Sequence, residues 1–318
     1  MNPYLISVAT KTTMLLAAGL LLTRCSKRHS AATRHLICLA ALMSAAAVPV
    51  LALWSPHWSY FITIPAKFGA GYGAYRVGHH FMDWAAQLAA IWAVGALILA
   101  VRWAGGWFLL QRARRTSSPF LKGEAADVRI GDVSVPLTCG ILRPVILVPK
   151  SAREWSSTRL RIVLLHESAH VRRRDCLAKS AALVSRAVLW WNPLAWAMTA
   201  QLDAEQECAC DEAVLSAGIA PEDYAGTLLN TVRDFSTPLL LGCAMSSGVL
   251  SARLEHLFAW RPGVRRATRR TALAVPLLLV VMTGVSCAAK RYPPASILSG
   301  THLVSIPNVR GAAPRAHK

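Results

Sequence analysis

With 54% hydrophobic and only 16% charged residues, this 318-residue chain is too apolar for an ordinary soluble domain. Its formal charge of +19 invites a nucleic-acid reading. The basic residues, however, gather at the ends of apolar segments and in loops, with no recognition motif, so contact with anionic lipid explains the excess better. The eight cysteines are scattered between apolar segments and a reducing compartment, which excludes a disulfide framework.

Four segments are expected to cross a membrane, at 3–23, 36–56, 84–108 and 271–289, each reaching the ~18–20 residues that a bilayer core requires. The first carries one charge, Lys11, inside its apolar stretch, and no small-residue cleavage site precedes Arg24. It therefore reads as a retained span rather than a removed signal peptide. Orientation follows from the basic loops. Arg24, Lys27, Arg28 and Arg34 follow the first span, and Arg261, Arg265, Arg266, Arg269 and Arg270 precede the last. Only Lys67 and Arg76 lie between the second and third. The expected organisation is a membrane region at 1–110, a cytoplasmic domain at 111–270, the fourth span at 271–289 and a short disordered extracytoplasmic tail at 290–318.

Within the cytoplasmic region, residues 127–149 cluster β-branched residues between the turn signals Gly131-Asp132 and Cys139-Gly140, which suggests a small sheet with Val145 to Val148 as a strand. Helices are expected at about 157–174, 176–190, 194–217 and 221–235. Residues 236–250, rich in Ser, Gly and Leu without clear period, read as a flexible flank.

The most informative stretch is His166-Glu167-Ser168-Ala169-His170. On a helix, residues four apart share a face, so both imidazoles can point at one ion with Glu167 beside them. Two neutral His nitrogens and one further ligand leave a zinc position open for water, whose proton the carboxylate can take. A pair of surface histidines is the plain alternative. A third ligand is sought after Asn192-Pro193, where 194–215 holds no Gly or Pro and stacks Asp203, Glu207 and Asp211 in one stripe. Glu207 could complete the set, with Asp211 orienting an imidazole; a solvated acidic face fits the spacing equally well. Cys208-Ala209-Cys210 lacks the second pair of a thiolate site but puts two sulfurs near the metal.

These residues carry a resemblance. His166 to Asp175, Trp191-Asn192-Pro193-Leu194-Ala195-Trp196 and Glu207-Cys208-Ala209-Cys210-Asp211-Glu212 resemble three successive signatures of the membrane zinc metallopeptidases of the penicillinase antirepressor type, the BlaR/MecR sensor-transducers. Val135 to Pro149 is similar to the edge-strand segment of that family, and Ser251 to Leu257 to a weaker segment near its end. The resemblance implies a mainly α chain: four transmembrane helices plus a cytoplasmic α+β zincin-like (gluzincin) metallopeptidase domain with a small sheet. It implies Zn2+ held by His166, His170 and Glu207, with Glu167 as general base and Asp211 as a supporting residue or alternative ligand. As an edge strand beside the zinc helix, Val145, Ile146 and Leu147 would bind a substrate polypeptide by strand addition.

The implied function is an integral inner-membrane metalloendopeptidase that cleaves a cytoplasmic transcriptional repressor, or itself, in response to an envelope signal. Only about 30 residues follow Cys287, without a Ser-x-x-Lys acylation motif. Antibiotic sensing on this chain is therefore not expected, and the signal would enter through the membrane itself, the short tail or a partner, the partner being a second copy in a homodimer or a separate sensor subunit. No direct nucleic-acid contact is expected. Two other readings stand beside this one: a non-catalytic scaffold with a structural zinc site, and a broad-specificity quality-control protease.

Overall fold

The computed structural model describes residues 3–54, 80–123, 125–234 and 247–261. The expected span at 271–289, the tail at 290–318 and residues 236–246 of the expected flank lie outside the described residues. Residues 247–250 of that flank are not irregular: they open a helix.

Three long apolar helices come first: α1 (Pro3–Cys25), α2 (Ala31–Trp54) and α3 (His80–Thr116). Among the described residues these three are long and apolar enough to cross a membrane, over Leu5–Cys25, Ala31–Leu51 and Ala86–Thr116. α2 starts earlier than the hydropathy alone suggests, at the start signal Ser30, whose hydroxyl pairs with Thr33 (3.1 Å). α3 runs past 108 because Gln111 to Arg115 are good helix formers that carry its end out of the apolar zone.

The sheet consists of β1 (Ser118–Lys122), β2 (Asp127–Gly131), β3 (Leu137–Cys139) and β4 (Val145–Pro149), in the order β1-β2-β4-β3. β2 and β4 run parallel, while β1 and β3 pair antiparallel on the outside. The expectation that Val145, Ile146 and Leu147 form an edge is thereby corrected. β4 is hydrogen-bonded on both sides and buried along its whole length, so its backbone has nothing left for a substrate strand. Among the described residues, the edge beside the helix that bears His166 and His170 is β3. Ile146 and Val148 pack toward Leu164 and Val171, while Val145 and Leu147 pack toward Ala113 of α3. Gly140, at φ +104°, makes the reversal from β3 to β4; a Cβ there would meet the Arg143 carbonyl at 2.5 Å.

Five helices follow: α4 (Ser157–Arg173), α5 (Asp175–Val188), α6 (Pro193–Ser216), α7 (Pro221–Asp234) and α8 (Ser247–Ala259). Ser156 caps α4 by accepting from the Arg159 N–H (3.2 Å). Arg174 then ends α4 in the left-handed region (φ 56°), and α5 begins at the next residue. Asn192 caps α6 by accepting from Leu194 N (3.0 Å), with Pro193 in the first turn.

Two apolar clusters hold the site from either side. Leu16 of α1 and Ala41, Leu42 and Ala45 of α2 interlock with Ala182 of α5, Leu189 just past its end, and Ala195, Met198 and Leu202 of α6. Ile162, Val214, Leu215, Tyr224, Leu228 and Leu257 join α4, α6, α7 and α8. The result is a mainly helical molecule with a small mixed sheet, in which α6 is shared between the membrane helices and the site.

Candidate metal centre

α4 presents His166, Glu167 and His170, and α6 crosses it with Glu207. The two Nε2 atoms lie 3.3 Å apart. The Glu207 carboxylate lies 3.6 Å from His166 Nε2 and 3.8 Å from His170 Nε2. One donor atom from each residue falls within 4.8 Å of the others. The His166 and His170 side chains are 13% and 11% exposed against 30% for Glu207, so the cluster opens on the Glu207 side.

Each imidazole is held from behind. His170 Nδ1 lies 2.8 Å from Asp175 Oδ2, which the left-handed Arg174 swings back under the helix it has just ended. His166 Nδ1 lies 2.8 Å from the Tyr224 hydroxyl and 3.4 Å from Asp211 Oδ1. Tyr224 donates to Asp211 (2.6 Å), so the ring must give its Nδ1 proton to the phenol oxygen. Arg253 of α8 closes the group. It donates through Nε and Nη2 to Asp211 (2.9 and 2.5 Å) and reaches Glu207 Oε2 through Nη1 at 3.1 Å. Both rings thus hold a proton on Nδ1, and when His166 gives up its second proton both Nε2 lone pairs turn toward one another and toward a carboxylate. That donor set fits a divalent cation, and a buried acceptor behind each ring is the usual support of a metal-bound histidine.

The charge balance agrees. Burial works against a charged His166, but hydrogen bonds donated by its ring to Asp211 and Glu207 outweigh it and raise its pKa to about 9. Burial likewise opposes ionised Glu207, but His166 and Arg253 bring it down to about 2. Arg253 holds Asp211 well below the usual carboxylate range against the same penalty. The pocket is built to hold positive charge.

Asp211, expected near the metal, lies one layer behind it and is fully buried. Asp203 stays on the solvated side of the stripe, where it pairs with Lys179. Cys210 Sγ sits 3.3 Å from His170 Nδ1 and donates to Asp175 (3.6 Å). Burial pushes its thiol well above the usual range, so it acts as a hydrogen-bond donor here. Cys208 is half-buried and outside the cluster. Glu167 is buried and accepts from the Thr138 hydroxyl (2.7 Å), which ties the edge strand β3 to the expected base. Beyond β3, a recess of about 290 Å³ is lined by Gly140, Leu142, Pro144, His170, Arg174 and Leu177 among others.

Sequence reasoning missed Tyr224, Arg253 and Thr138 as partners, and saw Asp175 only as the last residue of the signature that begins at His166. Thr138 and Arg253 both lie in segments that resemble the family, Val135 to Pro149 and Ser251 to Leu257, which was the local signal available.

Apolar spans leading into a helix with the His-Glu-x-x-His pattern, faced by a carboxylate, define a class: membrane proteins of metallopeptidase architecture. A family model described as BlaR1 peptidase M56 matches residues 77–257, more than half of the chain, and the chain belongs to that family. Among curated proteins, the regulatory protein BlaR1 of Bacillus licheniformis is 37% identical over 83 residues, covering 26% of this chain and 14% of that protein. The methicillin resistance mecR1 protein of Staphylococcus aureus is 25% identical over 85 residues, again 26% of this chain and 14% of the relative. The aligned stretch therefore spans about one seventh of the length of these relatives.

Proposed function

We propose that this chain is a zinc metalloendopeptidase of the antirepressor, sensor-transducer type, cleaving a cytoplasmic transcriptional repressor or itself. His166, His170 and Glu207 hold the ion. The peptidase domain, gluzincin-like in plan, extends over about 111–270 on the cytoplasmic side of a bacterial inner membrane, with a fourth span at 271–289. The observation that carries this reading is the convergence of two Nε2 atoms and the Glu207 carboxylate, each ring being backed by a buried carboxylate. Three donors with an opening suit catalysis better than a structural site, which is closed by four ligands.

When bound there, zinc supplies Lewis acidity at the scissile carbonyl and lowers the pKa of water. Glu167 takes the proton of the attacking water and returns it to the leaving amine. Thr138 holds the Glu167 carboxylate in place while its strand is an edge among the described residues, along which a substrate polypeptide adds in extended form. Asp175 and the Tyr224–Asp211 pair keep both rings in the tautomer that presents Nε2.

Glu167→Gln tests the assignment. The variant should keep its zinc while cleavage of a candidate repressor, and of the chain itself, falls by about 100- to 10,000-fold. Unchanged proteolysis would remove Glu167 from its role; a wild-type protein that retains no zinc would remove the metal reading.

A further inference from the structure

The hairpin of α5 and α6 is not accounted for by the metal centre. An ion pair of Lys179 with Asp203 closes its base, and between those two residues the only charged side chain is Arg186. The arms turn at Trp190-Trp191-Asn192-Pro193. There Asn192 Nδ2 donates to Thr13 Oγ1 of α1 (3.0 Å). Thr13 is not at an end of its span: at 1.5 Å per residue it lies about 18 Å from the Cys25 end, more than half of a ~30 Å hydrocarbon core.

α3 meets the tip as well. Trp190 Nε1 donates to Trp92 O (3.1 Å) and Trp92 Nε1 donates to Val188 O (2.9 Å). A Cβ on Gly95 would lie 2.3 to 2.7 Å from Trp190 ring atoms, so glycine is what lets the two helices close. One face of the hairpin is filled by α1 and α2. On the other, Val184, Trp191 and Trp196 are 57%, 40% and 43% exposed. The turn leaves little polar surface: the Asn192 carbonyl oxygen caps α6 and its amide bonds to α1, as a backbone reversal in hydrocarbon requires. The Arg186 guanidinium stacks on the Trp196 ring at 4.6 Å.

We infer that α5 and α6 form a re-entrant membrane element, entering the bilayer from the side of the metal centre, turning near its mid-depth and returning, with Val184, Trp191 and Trp196 against lipid acyl chains. Neither arm crosses alone, since α5, with 14 residues, is about 21 Å long, and the uncharged part of α6 ahead of Asp203 is about 15 Å long. The contact with Thr13 fixes the depth, and continuity with the lipid-exposed face of α3 fixes the occupant. The inference rests on α1 to α3 being membrane spans.

The test uses the full wild-type chain in liposomes containing a phospholipid with a diazirine near the end of one acyl chain; after irradiation, the adducts are mapped by mass spectrometry. Adducts at Val184, Trp191 and Trp196, at a level similar to Leu97 and Ile98 of α3 and absent from Leu229 of α7, are the expected result. Adducts on α1 to α3 without any between 184 and 196 would overturn the re-entrant hairpin and leave the spans intact, as when a second protein covers that face. Absence of adducts from α1 to α3 as well would overturn the membrane reading itself.

Discussion

The two halves of α6 make opposite use of burial. The first half, around Ala195, Met198 and Leu202, packs small and aliphatic side chains against Leu16, Ala41 and Leu42. The second half buries carboxylates, each with a named cation or donor. Glu205 takes Arg34 Nε of α2 at 2.7 Å. Glu212 takes Ala31 N at 3.0 Å and His256 at 3.2 Å. Glu207 and Asp211 share Arg253. The apolar half is set by shape and tolerates small changes at a cost graded by volume. The ionic half is all-or-none, because a buried charge that loses its partner keeps the full desolvation penalty.

The contrast breaks most sharply at Arg253. Arg253→Met leaves Asp211 and Glu207 without their shared cation and should destabilise the protein by about 3–5 kcal/mol. Denaturation of the detergent-solubilised chain reads this out, and a loss below about 1 kcal/mol would show that the carboxylates are compensated elsewhere. Next comes the proton that occupies the cluster in metal-free protein. His166 keeps it up to about pH 9, whereas zinc needs a neutral ring. Zinc affinity should therefore rise about tenfold per pH unit from 7 toward 9 and level off above, as a chelator competition would reveal. The sign for stability is opposite. A folded pKa above the ordinary 6.5 stabilises metal-free protein fully below pH 6.5, and that contribution fades as pH climbs through about 9. The smallest effect belongs to the apolar half. At Gly19 of α1 a Cβ would lie 2.5 Å from Ala41 Cβ and 2.8 Å from Met198 Cε. Gly19→Val should cost about 1–3 kcal/mol by overpacking, visible as a lower melting temperature with zinc stoichiometry unchanged.

The candidate ligands were legible because all three lie on helices with regular spacing: four residues for the imidazoles, and a capped start at Asn192 for the helix bearing Glu207. The partners behind them were not legible. Tyr224, Arg253 and Thr138 come from three separate elements that only the tertiary fold brings together. The misassigned edge had a readable cue. Val145-Ile146-Leu147-Val148 is a continuous apolar run, the pattern of a strand covered on both faces, not of one open to a substrate. The hairpin also left a trace, with one charge between Lys179 and Asp203. Asn192-Pro193 splits that stretch into arms too short to register as spans.

One junction reaches further than its size suggests. A single residue, Arg174, separates the helix bearing His170 from the helix that begins with Asp175, so no slack lies between imidazole and carboxylate. α5 is then a stiff lever with its fulcrum at the hydrogen bond between His170 and Asp175. A tilt of 5° or so about that point displaces its far end by roughly 2 Å over its ~21 Å length. Any force that reorients the tip reaches the second imidazole directly, without passing through a loop.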